Sequence, residues 1–182
     1  MVITETKLKG VFVIALEPYN DVRGFFARAW SDKEFEAAGI DARFVESNVS
    51  FNKKKGTLRG MHFQLPPHGQ GKLVRCTRGS IYDVVIDLRP DSETFKQWFP
   101  LEISAENHLM LYVPAGFAHG FLTLEPDTEV LYQTTAYYAP EHAGGVRWND
   151  PAFNITWPID DPIMIDRDRN YKDFHSQRAP TP

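Results

Sequence analysis

The sequence predicts an all-β sandwich or barrel. Three features carry that expectation: short apolar-alternating runs recur along nearly the whole chain, Gly, Pro and Asn breakers separate them, and aromatic residues at 13% suffice to fill the space between facing sheets. With 182 residues, 42% hydrophobic and 24% charged, the chain can bury a core as one domain over 1–182. The core is expected over about 10–170, with the tail frayed after about 174.

In chain order, strands are expected at Val11 to Leu16, Leu58 to Gln64, Lys72 to Thr77, Ile81 to Leu88, Leu109 to Val113, Gly120 to Leu124 and Val130 to Thr135. One helix is expected from Asp32 to Ala38, where Ser31 stands as the cap, Glu34 follows three residues on and Gly39 ends the run. A further helical turn is expected near Ala105 to His108. From Trp148 onward the pairs Asp150-Pro151, Trp157-Pro158 and Asp161-Pro162 predict an extended arm packed over the barrel. There is no internal repeat and no low-complexity segment.

Two strand readings bear on a site. If Gly79-Ser80 forms a two-residue hairpin turn, Cys76 opposes Asp83 and Lys72 opposes Asp87. Alternation then puts Lys72, Val74, Cys76, Asp83, Val85 and Asp87 on one face, with Leu73, Arg75, Tyr82, Val84, Ile86 and Leu88 on the other. A lysine and two acids among valines suit a barrel interior that holds a polar ligand, although a surface strand would carry such charges too. On Leu58 to Gln64, alternation separates His62 from Arg59; both reach one cavity only if Gly60 marks a β-bulge, which is predicted.

Composition excludes several function classes. The net charge is −4 and the basic residues are dispersed, so no nucleic acid is expected as a partner. The run Lys53-Lys54-Lys55 is read as a solvated loop. No apolar stretch reaches membrane-spanning length and the first residues lack a signal-peptide core, so no membrane is expected as a partner and a cytoplasmic location is. The single cysteine, Cys76, is read as a buried inert thiol in a reducing compartment.

Candidate chemistry concentrates in Lys55 to Cys76. Arg59 offers a cation for an anionic group, His62 a base near neutrality, and Lys72 a cation for a nascent oxyanion, a set suited to proton abstraction beside a carbonyl. Of six histidines, His62 and His119 lie in strongly patterned surroundings, whereas His68, His108, His142 and His175 read as loop or surface residues. His119 could equally be a core histidine bonded to a carbonyl. A metal-dependent cupin would need an H-x-H pair and a nearby glutamate; here His62-Phe63-Gln64 is followed by no acid before Lys72, whose charge would repel a cation. No metal and no cofactor are therefore expected. A metal enzyme using His62 and His119, and a non-catalytic sugar-binding module, remain the rival readings.

The chain resembles a known family through Arg23-Gly24-Phe25-Phe26, Asn48-Val49-Ser50, Lys55 to Gln64, Lys72 to Cys76, Gly79 to Arg89, Val113 to Phe121, Tyr132 to Pro140 and Trp148-Asn149-Asp150-Pro151. These motifs, in this order, resemble those of the dTDP-4-dehydrorhamnose 3,5-epimerases and related metal-independent cupin-type epimerases. The resemblance implies a jelly-roll β-barrel and an isomerase that inverts C3 and C5 of a dTDP-linked 4-keto-6-deoxyhexose through an enolate. The alternative it allows is a mono-epimerase of a related sugar nucleotide.

It also implies roles. His62 would be the base, oriented by Asp168; Lys72 would stabilise the enolate oxygen, and Tyr132 would return a proton from the opposite face. Arg23 and Arg59 would hold the diphosphate, Phe26, Asn48 and Gln64 would bind the substrate, and Asp83 and His119 would touch the sugar or stand behind residues that do. Arg28 and Glu46-Ser47 stand where the family commonly has other residues, on the nucleotide side. From the residues alone, Tyr132 reads as well as strand packing, Asp168 reads as well as a solvated charge, and Asp166 competes with it. A homodimer is implied too, with N-terminal strands completing the partner's pocket.

Overall fold

The computed structural model describes residues 1–40 and 43–174. Sheet one contains β1 (Val2–Glu5), β2 (Phe12–Ala15), β5 (Glu46–Asn52), β7 (Lys72–Arg78), β10 (Met110–Val113) and β12 (Thr128–Thr134), in the order β1-β2-β10-β7-β12-β5. Sheet two contains β6 (Leu58–Gln64), β8 (Ser80–Asp87), β9 (Trp98–Ser104), β11 (Phe117–Thr123) and β13 (Ala143–Gly145), in the order β13-β6-β11-β8-β9. A separate ribbon pairs β3 (Tyr19–Asp21) with β4 (Gly24–Phe26). The two large sheets face each other as a jelly-roll barrel, closed over a core that includes Val74, Cys76, Leu111 and Val130 from one sheet and Ile81, Val85, Phe117 and Phe121 from the other.

Both outer faces are covered. Helix α1 (Asp32–Ala37) lays Phe35 against Ile14, Leu73, Met110 and Tyr112 of sheet one. The arm after β13 lays Phe153 and Phe174 against Met61, Val84, Ile86 and Ala118 of sheet two. Asp150 ties the arm down, accepting from the N–H of Ala152 at 2.8 Å and of Phe174 at 2.6 Å. The arm contains a second short helix, α2 (Asp166–Arg169), that the sequence reading did not contain. No described helix is long and apolar enough to cross a membrane.

The expected hairpin at Gly79-Ser80 is corrected. β7 pairs with β10 and β12, and β8 pairs with β11 and β9, so the turn carries the chain from one sheet to the other. Both ladder edges of β7 are already filled, which leaves none for β8. Gly79 has φ +74°, and a Cβ there would lie 2.5 Å from Thr128 Oγ1. The alternation survives the loss of the pairing: Val74, Cys76 and Val85 point into the core, while Leu73 and the group Val84, Ile86 and Leu88 cover two different outer faces.

Smaller departures have local causes. Ser31 occupies the N-cap of α1 but makes no capping bond, and Glu34 instead accepts from the Met1 α-amino group at 2.9 Å and from Arg28 at 3.0 Å. Ala105 to Asn107 form a turn, with one helical-type bond from His108 N–H to Ser104 O at 3.2 Å, and no helix. β5 went unread because its alternation is polar against apolar with the polar side inward; β9 carries Pro100, tolerated because β9 is an edge strand. The Cys76 thiol is buried and pushed up to about 11, chiefly by that burial, in keeping with an inert thiol. The frayed tail and His175 fall outside the described residues.

Candidate active site

β6 and β11 build the centre of the site. His119 pairs with His62 and Phe121 with Arg59, so Gly60 and Met61 together oppose Gly120: this is the predicted bulge. Gly60 has φ +126°, and a Cβ on it would come within 2.6 Å of Gly120 Cα and 2.9 Å of His119 O. By adding one residue to β6, the bulge brings Arg59 and His62, which strict alternation would separate, onto the wall of one cavity of about 670 Å³. Lys72 and Tyr132 from sheet one line the same cavity, as do His119 from sheet two and Arg167, Asp168 and Tyr171 from the arm.

His62 and Asp168 form the central pair. Nε2 of His62 lies 2.9 Å from Asp168 Oδ1, and the buried carboxylate also accepts from Arg167 Nε at 3.0 Å and, through Oδ2, from Gly60 N–H at 3.2 Å. Burial alone would raise the Asp168 carboxyl, but its bonds to His62, Arg167 and Gly60 outweigh that and hold it below the usual range. Asp166, the competing acid, is exposed at the start of α2. Burial pulls the His62 imidazole below its ordinary value against the opposing pull of Asp168, with Lys72 and Arg167 adding to the decrease.

Burial brings the Lys72 ammonium down to about 8, with the Asp83 charge opposing. Asp83 is fully buried behind His119, whose Nε2 lies 2.9 and 3.1 Å from its two oxygens; His119 meets the cavity and Asp83 does not. Tyr132 is raised by burial. Tyr132 belongs to sheet one and His62 to sheet two, so a phenol and an imidazole line the cavity from facing sheets. The buried pair on His119 answers the question its sequence context left open: its partner is a carboxylate, not a backbone carbonyl.

A family model described as dTDP-4-dehydrorhamnose 3,5-epimerase matches residues 5–176. The chain belongs to this epimerase family. It is 47% identical over 148 residues to the dTDP-4-dehydrorhamnose 3,5-epimerase of Sinorhizobium fredii, covering 81% of this chain and 76% of that protein. The Bacillus anthracis epimerase, solved with TDP and PPi bound, superposes with a TM-score of 0.92 at 44% identity over 95% of this chain and 99% of its own. The Legionella pneumophila dTDP-6-deoxy-D-glucose-3,5-epimerase, solved with dTDP-4-keto-L-rhamnose, gives a TM-score of 0.91 at 36% identity, covering 98% and 95%.

Not every residue expected at the epimerase site arrives there. Arg23 and Phe26 sit on the exposed β3–β4 ribbon, Arg23 bound to Asp21 and Phe26 73% exposed, and Arg28 is bound to Glu34; none lines the cavity of its own chain. Asn48 pairs with Tyr132 in the ladder and Glu46 with Thr134, both beside the cavity and outside its lining. Gln64 lines it, but its amide is committed to backbone: Nε2 donates to His68 O at 2.8 Å and Tyr137 O at 3.2 Å, and Oε1 accepts from Ala139 N–H at 2.8 Å. These bonds hold the chain either side of Tyr138, which also lines the cavity. His62 and His119, the ligands of the rival metal reading, each turn Nε2 onto a separate carboxylate.

Several residues that line the cavity carry no role from the sequence. Arg167 and Tyr171 arrive with α2 and the residues after it, and Tyr138 with the segment after β12. Ser50 stood in a recognised motif without a role; its buried Oγ has no partner among the described residues and faces the cavity lining. Asn52 orients Arg59, accepting from its Nε at 2.7 Å. Alternation along β5 was the available signal, since Ser50 and Asn52 fall on its inward side.

The two shifted cationic groups set a pH dependence for the epimerase. In the role of base that the resemblance implies, His62 must be neutral to accept a proton, so kcat/KM should rise as pH climbs through a pKa below the ordinary value of about 6.5. In its implied role Lys72 must be protonated to stabilise an oxyanion, so the rate should fall as pH passes about 8. Arginine at position 72 should remove the alkaline fall; a wild-type rate flat from pH 7 to 10 would contradict the role given to Lys72.

Proposed function

We propose that the protein is a 3,5-epimerase acting on a dTDP-linked 4-keto-6-deoxyhexose. What carries this reading is the cavity that sets His62, paired with Asp168 of the arm, on one sheet and Tyr132 on the other, with Lys72 on the strand beside that of Tyr132. The ketone at C4 acidifies the hydrogens at C3 and C5. His62 takes each proton through Nδ1, since Nε2 faces the ionised Asp168 and must carry the hydrogen there. Asp168 stabilises the imidazolium, Lys72 the enolate oxygen, and Tyr132, kept protonated by burial, gives a proton to the opposite face of the carbon. Arg59, with Arg167 and the unpartnered Ser50 hydroxyl, suits the diphosphate.

The same reading gives the displaced N-terminal residues a place. The β3–β4 ribbon exposes Tyr19, Val22, Phe25 and Phe26, an apolar surface that a monomer would leave in water. In a two-fold dimer this ribbon carries Arg23 and Phe26 to the partner's cavity. A reducing, cytoplasmic setting accords with the one unpaired cysteine.

The test is solvent exchange. Chelator-treated protein incubated in D₂O with dTDP-4-keto-6-deoxyglucose should place deuterium at C3 and C5; no exchange at either carbon would sink the proposal. Tyr132→Phe should retain exchange and lose inversion, and full epimerisation by that variant would remove Tyr132 from its role.

A further inference from the structure

Asp168 Oδ1 is claimed twice. It accepts from Arg167 Nε at 3.0 Å while lying 2.9 Å from His62 Nε2, and Arg167 Nη2 stands 3.3 Å from that same nitrogen. These contacts conflict chemically. An ionised carboxylate only accepts, so Nε2 must carry its hydrogen toward Asp168; a guanidinium only donates, so Nη2 then points a donor at a donor. The conflict deepens once Nδ1 has taken a proton from carbon, because an imidazolium then sits against a guanidinium.

The two partners of Asp168 differ in freedom. The His62 side chain is fixed on β6 and 31% exposed, whereas the Arg167 side chain is 58% exposed on the short helix α2 and reaches Asp168 from the solvent side. Its charged end lies in the lining of a cavity assigned above to a diphosphate-bearing substrate, on which this inference rests. The oxygens of a diphosphate carry charge on two linked groups, are not already shared with an imidazole, and match the guanidinium fork.

We propose that Arg167 is a positioning residue that occupies Asp168 in the empty site and passes to the substrate's diphosphate on binding, leaving Asp168 Oδ1 to His62 alone. Binding of the nucleotide end thereby prepares the base at the sugar end. No covalent bond changes in this step: the Arg167 N–H donors move from Oδ1 to phosphate oxygen, the Nε2 hydrogen stays on His62, and Nδ1 remains free to accept the carbon-bound proton. Binding energy from a part of the substrate remote from the reacting carbons is thus used at the reacting centre.

Other charges face His62, and each stays where it is. Lys72 approaches from β7 and His119 from β11 with Asp83 behind it on β8; Tyr171 lies edge-on at 6.3 Å between ring centroids. The free carboxylate should raise the proton affinity of the imidazole in the complex, consistent with the downward pull that Arg167 exerts on His62 in the empty site.

The experiment follows the His62 ring by NMR against pH, using dTDP as the non-reacting probe. In the wild type, saturating dTDP should raise the His62 pKa by about one unit or more. In Arg167→Met the free protein should already titrate higher, and dTDP should add little. The comparison separates handover from the bare charge of the phosphates, which would act equally in both proteins. If dTDP binds and leaves the wild-type pKa in place, or raises it equally in Arg167→Met, the handover is wrong while the substrate reading stands. If the wild type does not bind dTDP, the substrate reading falls and takes the handover with it.

Discussion

Alanine at position 62 is expected to lower the rate of epimerisation, and of solvent exchange at both carbons, by about 10² to 10⁴-fold, the span usually supplied by one positioned acid–base group. The argument is geometric before it is electrostatic. His62 is the imidazole within 2.9 Å of the buried carboxylate of Asp168, and its lowered proton affinity keeps the base form in place at neutral pH. His119 cannot substitute, since its Nε2 is committed to the buried carboxylate of Asp83. The side chain is partly exposed and truncation leaves no large void, so His62→Ala should melt close to the wild type. Asp168→Asn tests the same pair from the other end: an amide offers both a donor and an acceptor to Nε2, so the tautomer is no longer enforced and the loss should be severe but smaller. Wild-type exchange by His62→Ala, measured by mass increase in D₂O, would overturn the assignment of the base.

The second large effect is expected on stability, from Gly60→Ala. A β-carbon there meets Gly120 Cα at 2.6 Å and His119 O at 2.9 Å, both backbone atoms that cannot swing aside, and φ is +126°. Strained backbone and overpacking together cost about 2–6 kcal/mol, which for a chain of this size lowers Tm by roughly 10 °C. Gly24 supplies the control, having the same φ of +126° and nothing within 4 Å of a built Cβ. Within one protomer Gly24→Ala therefore carries the conformational cost without a contact, and the difference between the two melting curves, taken at equal protein concentration, reports the contact between β6 and β11. Equal losses in the two variants would mean that the strands do not approach as described. Activity should fall in Gly60→Ala beyond what unfolding explains, because the Gly60 N–H also holds Asp168 Oδ2 at 3.2 Å.

Residues that act through local pattern were legible in the sequence. The strand alternation of Lys72 to Thr77 placed Val74 and Cys76 inward, and the mismatch between Arg59 and His62 demanded a bulge that the Gly60–Gly120 contact supplies. Even the failed hairpin kept its alternation, since a side chain's face depends on its own strand and not on which strand lies beside it. The partner of His62 was narrowed to two acids by resemblance and decided by burial: Asp168 is 2% exposed, and Asp166 is not buried.

The missed residues share a physical cause. Tyr138 and Tyr171 lie in irregular segments and Arg167 in a helix of four residues, none long enough to show a period, so only the folded chain reveals that they meet the cavity. For Gln64 the place on the cavity wall was legible, whereas its amide bonds to Tyr137, Ala139 and His68 come from segments that the strand pattern could not place. By itself the sequence determined the β-architecture, the inward faces and the chemical kinds of group in the site, because these follow from alternation, turn residues and motif composition within short stretches. Tertiary structure alone decided which sheet each strand joined, that Arg23, Phe26 and Arg28 lie away from their own chain's cavity, and that one carboxylate oxygen is shared by His62 and Arg167. Those outcomes depend on contacts between residues up to 108 positions apart, for which short-range periodicity carries no information.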